Sequence, residues 1–329
     1  MLQYLIIILD NTSTSYCHYS VPTKERKLIS LEDLKKGILF AMKENLSIQF
    51  VYPDYELPEA YNAAIEEIDH IKIKPWKAVC GEVGDVIVVD GLDSAKSVTY
   101  DPKKVYVLRI DFQALKKASE LIKQILEKVF RLNIVITDVD KFSDEKITTY
   151  KEFLATLALP LEKLYIQGKR PQLNLLTDRL LLTQMNNCNA GDSNITLAPD
   201  GRFYVCPAFY YEIVSKLKDE SGELKGSPYN LGCVETGFNL KNPQLYKLSC
   251  APICRTCDAF QCKRCVWLNL SMTREVNTPS HEQCVMAHLE RNMAKTMLAN
   301  ILDHDSSMPG LENFKEIDSL DPFDVLKDL

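Results

Sequence analysis

Long apolar runs are missing from this 329-residue chain: none approaches the roughly 20 residues that a membrane-spanning helix needs. An excess of positive charge is missing too. The 39 basic residues face 45 acidic ones, a net charge of −6. A polyphosphate backbone is therefore not expected as the main partner, so neither a nucleic acid nor a membrane enters the reading. There is no glycine-rich phosphate-cradling loop, no zinc-protease helix motif and no repeat on the scale of a solenoid. The apolar start, Leu2 to Leu9, has no basic stretch before it and no small-residue cleavage site after it. It reads as a buried strand and not as a signal peptide. The expected location is the cytoplasm, where thiols stay reduced. What remains is ordinary for a globular protein: 46% hydrophobic and 26% charged residues, in a length that suits two domains.

Cysteine is the exception. There are 11, and nine of them fall between Cys188 and Cys284. In a reducing compartment, clustered thiols more often bind metal than pair as disulfides.

Before that segment, strand and helix patterns alternate. Strands are predicted at 2–9, 47–52, 70–74, 85–89, 104–110, 133–137 and 163–167. Helices are predicted from Leu31, after a capping box at Ser30 and Asp33, and over 58–69, 112–131 and 144–158. Alternation with continuously apolar strands favours a parallel sheet covered by helices. The fold class is α/β, either a partial (β/α) barrel or an open parallel sheet over residues 1–180. A Cys-rich domain follows at 181–301 and ends in a helix from about 284 to 301. Residues 303–329 hold eight acids, two lysines, Pro309, Gly310 and Pro322, and read as a flexible acidic tail.

In the Cys-rich part helix patterns are weak, and metal ligation is the expected staple. Pro199 to Cys206 reads as a hairpin with Asp200-Gly201 at its turn. Cys250, Cys254, Cys257, Cys262, Cys265 and Cys284 follow, the last where a helix N-terminus would favour a thiolate. Two CxxC pairs with flanking thiols could fill two four-thiolate sites. A single zinc site on Cys254, Cys257, Cys262 and Cys265 is the alternative. Only four residues separate its pairs, and it leaves Cys188, Cys206 and Cys284 unused.

The order Cys188, Gly201-x4-Cys206, Cys254-x2-Cys257, Cys262, Cys265, Cys284 resembles the SPASM domain that ends many radical S-adenosylmethionine (SAM) enzymes. The spacing here is CX2CX4CX2C where the family usually has CX2CX5CX3C. The resemblance implies auxiliary 4Fe-4S clusters, one or two of them. Carried over, Cys254, Cys257, Cys262 and Cys284 would hold one cluster. Cys188, Cys206 and Cys265 would hold part of the other, with Cys250, Cys233 or an open iron site completing it. Tyr4 to Asp10, Phe50 to Tyr55, Cys257 to Cys265, and Pro279 to Asn292 further resemble the CXXX-repeat peptide maturases. That resemblance implies a Cys-rich, ribosomally made precursor peptide as partner.

One family element is absent. The loop after the first strand, about 10–29, carries only Cys17, where a SAM-cleaving cluster needs CX3CX2C. SAM is therefore not an expected ligand, and a separate radical SAM partner enzyme could supply that chemistry. Cys250-x3-Cys254-x2-Cys257 has the CX3CX2C spacing, but only 72 residues follow it, too few for a barrel. It remains a third reading, that of a self-sufficient enzyme. Asp10, Asp111 and Asp138 sit near strand ends, where α/β sites form, and helix capping or loop polarity is their expected role. Cys17-His18 is a weak nucleophile pair. His288, one turn from Cys284, is expected on the helix surface, with support of a metal ligand as the alternative.

Overall fold

The apolar opening of the chain folds as a strand, β1 (Tyr4–Ile8), and its side chains from Leu5 to Ile8 are buried. In this computed structural model, which describes residues 2–77, 84–217 and 230–304, α1 (Leu31–Lys43) and β2 (Ser47–Val51) follow. Next come α2 (Glu59–Glu66), β3 (His70–Pro75), β4 (Val86–Asp90), α3 (Leu92–Ser97) and β5 (Val105–Ile110). The chain continues through α4 (Phe112–Leu126), β6 (Arg131–Ile136), α5 (Ile147–Ile166), β7 (Gln172–Leu173) and α6 (Thr177–Leu181). The Cys-rich part holds β8 (Asn194–Leu197), β9 (Arg202–Tyr204), α7 (Pro207–Leu217), β10 (Asn230–Cys233), β11 (Gly237–Phe238), α8 (Val266–Thr273) and α9 (His281–His304). Cys80 and the tail beyond residue 304 lie outside the described residues.

The chain divides into two compact units, each drawing on residues from both sides of position 180: 1–88 with 189–247, and 89–188 with 248–329. In the first, β8, β1, β2, β3 and β4 run parallel, and β9, β10 and β11 extend the β8 side antiparallel. The registers Leu5↔Ile48 and Leu5↔Ile195 put β1 between β2 and β8. Burial on both sides explains its unbroken apolar run. Helix α1 starts at Ser30, whose Oγ accepts the Asp33 N–H at 3.0 Å, as the capping box predicts. It packs so closely that a Cβ on Gly37 would strike Leu197 of β8. The predicted Asp-Gly hairpin is β8–β9. Gly201 takes φ +74° there, a left-handed conformation that glycine adopts without strain.

In the second unit, β5, β6 and β7 are parallel; α4 packs on β6, and α5 packs against α4 and α9. The predicted strand at 163–167 is not one. Those residues are the end of α5, which runs unbroken past Pro160 and buries Leu157, Leu161, Leu164 and Tyr165 along one face. A short apolar run reads equally as strand or helix, and its burying face decides. The predicted helix 112–131 stops at Leu126, because Arg131 already belongs to β6. Helices α7 and α8 arise where helix patterns are weak, the first opening on Pro207, a residue suited to a first turn. Among the described residues no helix is long and apolar enough to cross a membrane.

Candidate metal-binding site

Between α6 and α8 the second unit has little regular structure, and it is here that the thiols gather. Leu248–Cys250 and Cys254–Thr256 form single 3-10 turns. Cys254 is buried among Met185, Ala251 and Phe260. Cys254, Cys257, Cys262 and Cys284 line one cavity together with Arg264 and His288. These four thiols are the set carried over from the SPASM resemblance for one cluster. Cys284 reaches the cavity from the first turn of α9, whose N-terminus favours negative charge.

The local backbone turns its donors toward sulfur. The Ala259 N–H points at Cys257 Sγ and the Arg264 N–H at Cys262 Sγ, each at 3.4 Å. His288 Nε2 lies 3.6 Å from Cys257 Sγ. This histidine, expected on the helix surface, is half-buried in the cavity wall. Burial pushes the Cys254 thiol up to about 11 and the Cys262 thiol up to about 12. Charge on a bare sulfur is disfavoured there, and a bound cation removes that penalty by replacing the proton.

Buried guanidiniums surround these sulfurs. Arg179, 0% exposed, and Arg291 converge on the single carboxylate of Asp258, at 3.7 Å and 2.8 Å. Arg179 also lies over the Phe260 ring, 4.5 Å from its centroid. Burial weakens its hold on its proton, and Asp258 and the Cys257 sulfur strengthen it. Arg264 is 1% exposed, and its φ of 43° turns the chain between Cys262 and Cys265. Two guanidiniums on one carboxylate leave this corner positive, and a metal centre with four thiolate ligands carries negative charge. The donor set thus fits a thiolate-ligated group. Among the described residues, as placed, no three His, Cys, Asp or Glu side chains are grouped to hold a single metal ion.

Cys188 and Cys265 form a second association. The Cys188 N–H donates to the Lys263 carbonyl at 2.8 Å. Burial, then the neighbouring Cys188, raises the Cys265 thiol to about 12, opposed by the Trp267 and Leu268 N–H groups that open α8. Cys206 belongs to the first unit, just after β9 and before Pro207 of α7. Cys233 sits on β10 with its Sγ 3.2 Å from Thr236 Oγ1. Cys250 is exposed and does not line the cavity of Cys254 and Cys257.

Two of the strand-end aspartates cap α4, and the third closes a loop. Asp111 accepts the Ala114 N–H of α4 at 2.8 Å, and Asp138 accepts the Phe112 N–H at 2.8 Å. Asp10, fully buried, accepts from the Thr12 N–H and hydroxyl at 2.8 and 2.6 Å. The loop after β1 is closed by such bonds. Ser13 Oγ donates to the Val51 carbonyl at 2.8 Å, Ser15 Oγ to the Tyr19 carbonyl, and Tyr211 stacks on Tyr19 at 5.3 Å. Cys17 is the single thiol in it. A separate cleft of about 560 Å³ opens at the carboxyl ends of β5 and β6, beside the Asp90–Arg109 ion pair of 2.9 Å.

Sequence reading missed the ionic support of the thiols. Asp178 takes both guanidinium nitrogens of Arg131 at 2.7 Å each and lies 4.0 Å from the Lys263 ammonium. Glu290 accepts from Tyr150 at 2.6 Å and from Gln261 at 3.3 Å. The one local signal was the charged and polar filling of the Cys257-to-Cys265 motif: Asp258, Gln261, Lys263 and Arg264.

No protein-family model and no curated protein matches this sequence. Solved structures do. The chain is similar to native anSMEcpe with bound AdoMet and Cp18Cys peptide: TM-score 0.60 and 14% identity over 91% of this chain and 99% of that one. Against hexahistidine-tagged anSMEcpe with bound AdoMet the TM-score is 0.52 and the identity 13%, over 95% and 98%. SuiB of Streptococcus suis bound to the precursor peptide SuiA gives a TM-score of 0.47 at 13% identity, over 86% and 76%. At such identities the likeness to anSMEcpe is one of fold, and that fold is the α/β architecture with a parallel sheet expected from the sequence. The expectation that SAM is not a ligand gains no support from it, since both anSMEcpe structures hold AdoMet.

Proposed function

We propose that this chain takes part in maturing a Cys-rich, CXXX-repeat peptide, as a SPASM-type protein carrying one or two auxiliary 4Fe-4S clusters. One observation carries the reading: four thiols of the expected set line a single cavity, with backbone N–H donors aimed at two of the sulfurs. The division of labour proposed is a radical-SAM-like part over 1–180 and a cluster part over 181–301. Cys254, Cys257, Cys262 and Cys284 hold one cluster. Cys188, Cys265 and Cys206 are proposed for the second, with Cys233, Cys250 or an open iron position as its fourth site. When bound, such a group supplies one-electron transfer or a soft-metal position for a substrate thiolate. The residues of this chain supply thiolates, N–H donors that stabilise charge on sulfur, and buried guanidiniums that balance it.

The sequence favours a cluster over zinc: only four residues separate Cys257 from Cys262, and a zinc site on Cys254, Cys257, Cys262 and Cys265 leaves Cys188, Cys206 and Cys284 unused. The fold of anSMEcpe, a protein captured with AdoMet and a peptide, supports a peptide partner. The single thiol of the β1 loop supports delegation of SAM cleavage to a partner enzyme, and the compartment proposed is the cytoplasm.

The test is iron, sulfide and zinc content of the full chain after anaerobic reconstitution. The reading expects about eight irons and eight sulfides, with absorbance near about 400 nm. Stoichiometric zinc without sulfide overturns it in favour of a zinc-stapled interaction protein. Formation of 5′-deoxyadenosine by the protein alone, lost on C250A, would favour the self-sufficient enzyme instead. Binding of a synthetic CXXX-repeat peptide, weakened when its cysteines become serine, tests the partner.

A further inference from the structure

His288 and Cys284 are four residues apart on α9, so their side chains share one face of that helix. Both line the cavity of the four thiols. The His288 ring meets a sulfur there: its Nε2 lies 3.6 Å from Cys257 Sγ, within hydrogen-bond range for sulfur. A metal-bound thiolate carries no proton and can only accept, so the hydrogen of this contact belongs on Nε2. The same sulfur also receives the Ala259 N–H at 3.4 Å. Cys257 thus faces two donors, one from the chain and one from a side chain. Cys262 faces the Arg264 N–H at 3.4 Å.

Donors at sulfur act on redox balance. Reduction adds one electron to a cluster and spreads part of the added charge onto its ligand sulfurs. A hydrogen bond to that sulfur strengthens as the charge grows, so it favours the reduced form and raises the potential. We propose that His288 is a positioning residue that donates from Nε2 to the Cys257 sulfur and sets the reduction potential of the group held by Cys254, Cys257, Cys262 and Cys284. The inference rests on the iron–sulfur reading above. One electron enters from a low-potential donor, dithionite in the test, and no bond is made or broken.

The experiment compares the anaerobically reconstituted full chain with H288L and H288Q. Iron and sulfide are counted first, and the midpoint potentials are then read by EPR-monitored titration. The expected result is equal iron in all three. In H288L the ratio of reduced to oxidised cluster falls about tenfold at a fixed potential, about 59 mV for a one-electron couple. Only one midpoint moves, and H288Q, whose amide N–H can replace the donor, stays near the parent. If H288L takes up no iron, H288N, with an amide too short to reach the sulfur, carries the same expected lowering. Iron-loaded variants with an unmoved potential overturn the inference and leave the cluster reading standing. Strong nitrogen hyperfine coupling in the parent protein overturns it too, since His288 would then be a ligand. Zinc in place of iron overturns both.

Discussion

The core around β1 and the thiol segment from Leu248 to Cys265 show two ways of holding a chain in place. Around β1, apolar side chains suffice. Leu5, Ile7, Ile8, Leu9, Phe50 and Leu197 are all 0% exposed, and the backbone donors between them are spent in parallel ladders. In the thiol segment there is no ladder and only brief helical turns. Its buried side chains include Ala251, Cys254, Ala259 and Phe260 but also three polar ones, Asp258, Gln261 and Arg264. An apolar core stabilises itself as it forms, whereas polar groups taken out of water must find partners. Here the partners are ion pairs and, in the reading above, a metal group that takes the place of thiol protons.

The comparison breaks first at a ligand. Replacing Cys262 with serine is expected to remove about four of about eight irons. It should also speed amide exchange across 248–265 while leaving β1 and β2 protected. Uniform loss of protection would mean that the two regions are not separately held. Next is Asp258→Ala, which leaves Arg179 and Arg291 facing each other without their shared carboxylate. A loss of about 3–5 kcal/mol in unfolding free energy is expected by chemical denaturation, and a loss under about 1 kcal/mol would show the pairs to be incidental. Ile7→Ala sharpens the opposite side. It should cost about 2–5 kcal/mol through the cavity it leaves, with iron content unchanged.

An effect of similar size is one of pH. Burial pushes the Glu290 carboxyl from 4.5 up to about 7, with the Tyr150 and Gln261 hydrogen bonds pulling the other way. The folded carboxyl thus holds its proton more tightly than the unfolded one. Its contribution is complete below about pH 4.5 and is lost as pH rises through about 7, about 3 kcal/mol at about 1.4 kcal/mol per unit. E290Q should flatten the stability profile over that window. A slope that survives the substitution assigns it to another group.

Much of this organisation was legible without a structure. The strands β1, β2, β3, β4, β5 and β6 fall within a residue or two of the strands predicted from sequence. Ser30, Asp111 and the Asp200-Gly201 turn do what their local chemistry allows. The errors share a cause. Leu161 to Ile166 is apolar in a way that suits a strand or a helix, and only the surface against which it packs chooses the helix. Val266-Trp267-Leu268 opens α8 despite residues that favour strands, because Val266 and Leu268 are buried there.

For the candidate site the line runs elsewhere. The resemblance to the SPASM domain made Cys254, Cys257, Cys262 and Cys284 a ligand set, whereas spacing alone pointed only to a thiol-rich metal-binding segment. The sequence by itself determined the alternation of strand and helix, the caps, the hairpin turn and the presence of a thiol-rich segment, because each depends on neighbours a few residues away. Tertiary structure alone decided that β8 pairs with β1, that Arg179 and Arg291 meet on Asp258, and that His288 faces Cys257. Those contacts join residues 31 to about 190 positions apart, and nothing in the local composition encodes a meeting that the packing of whole elements produces.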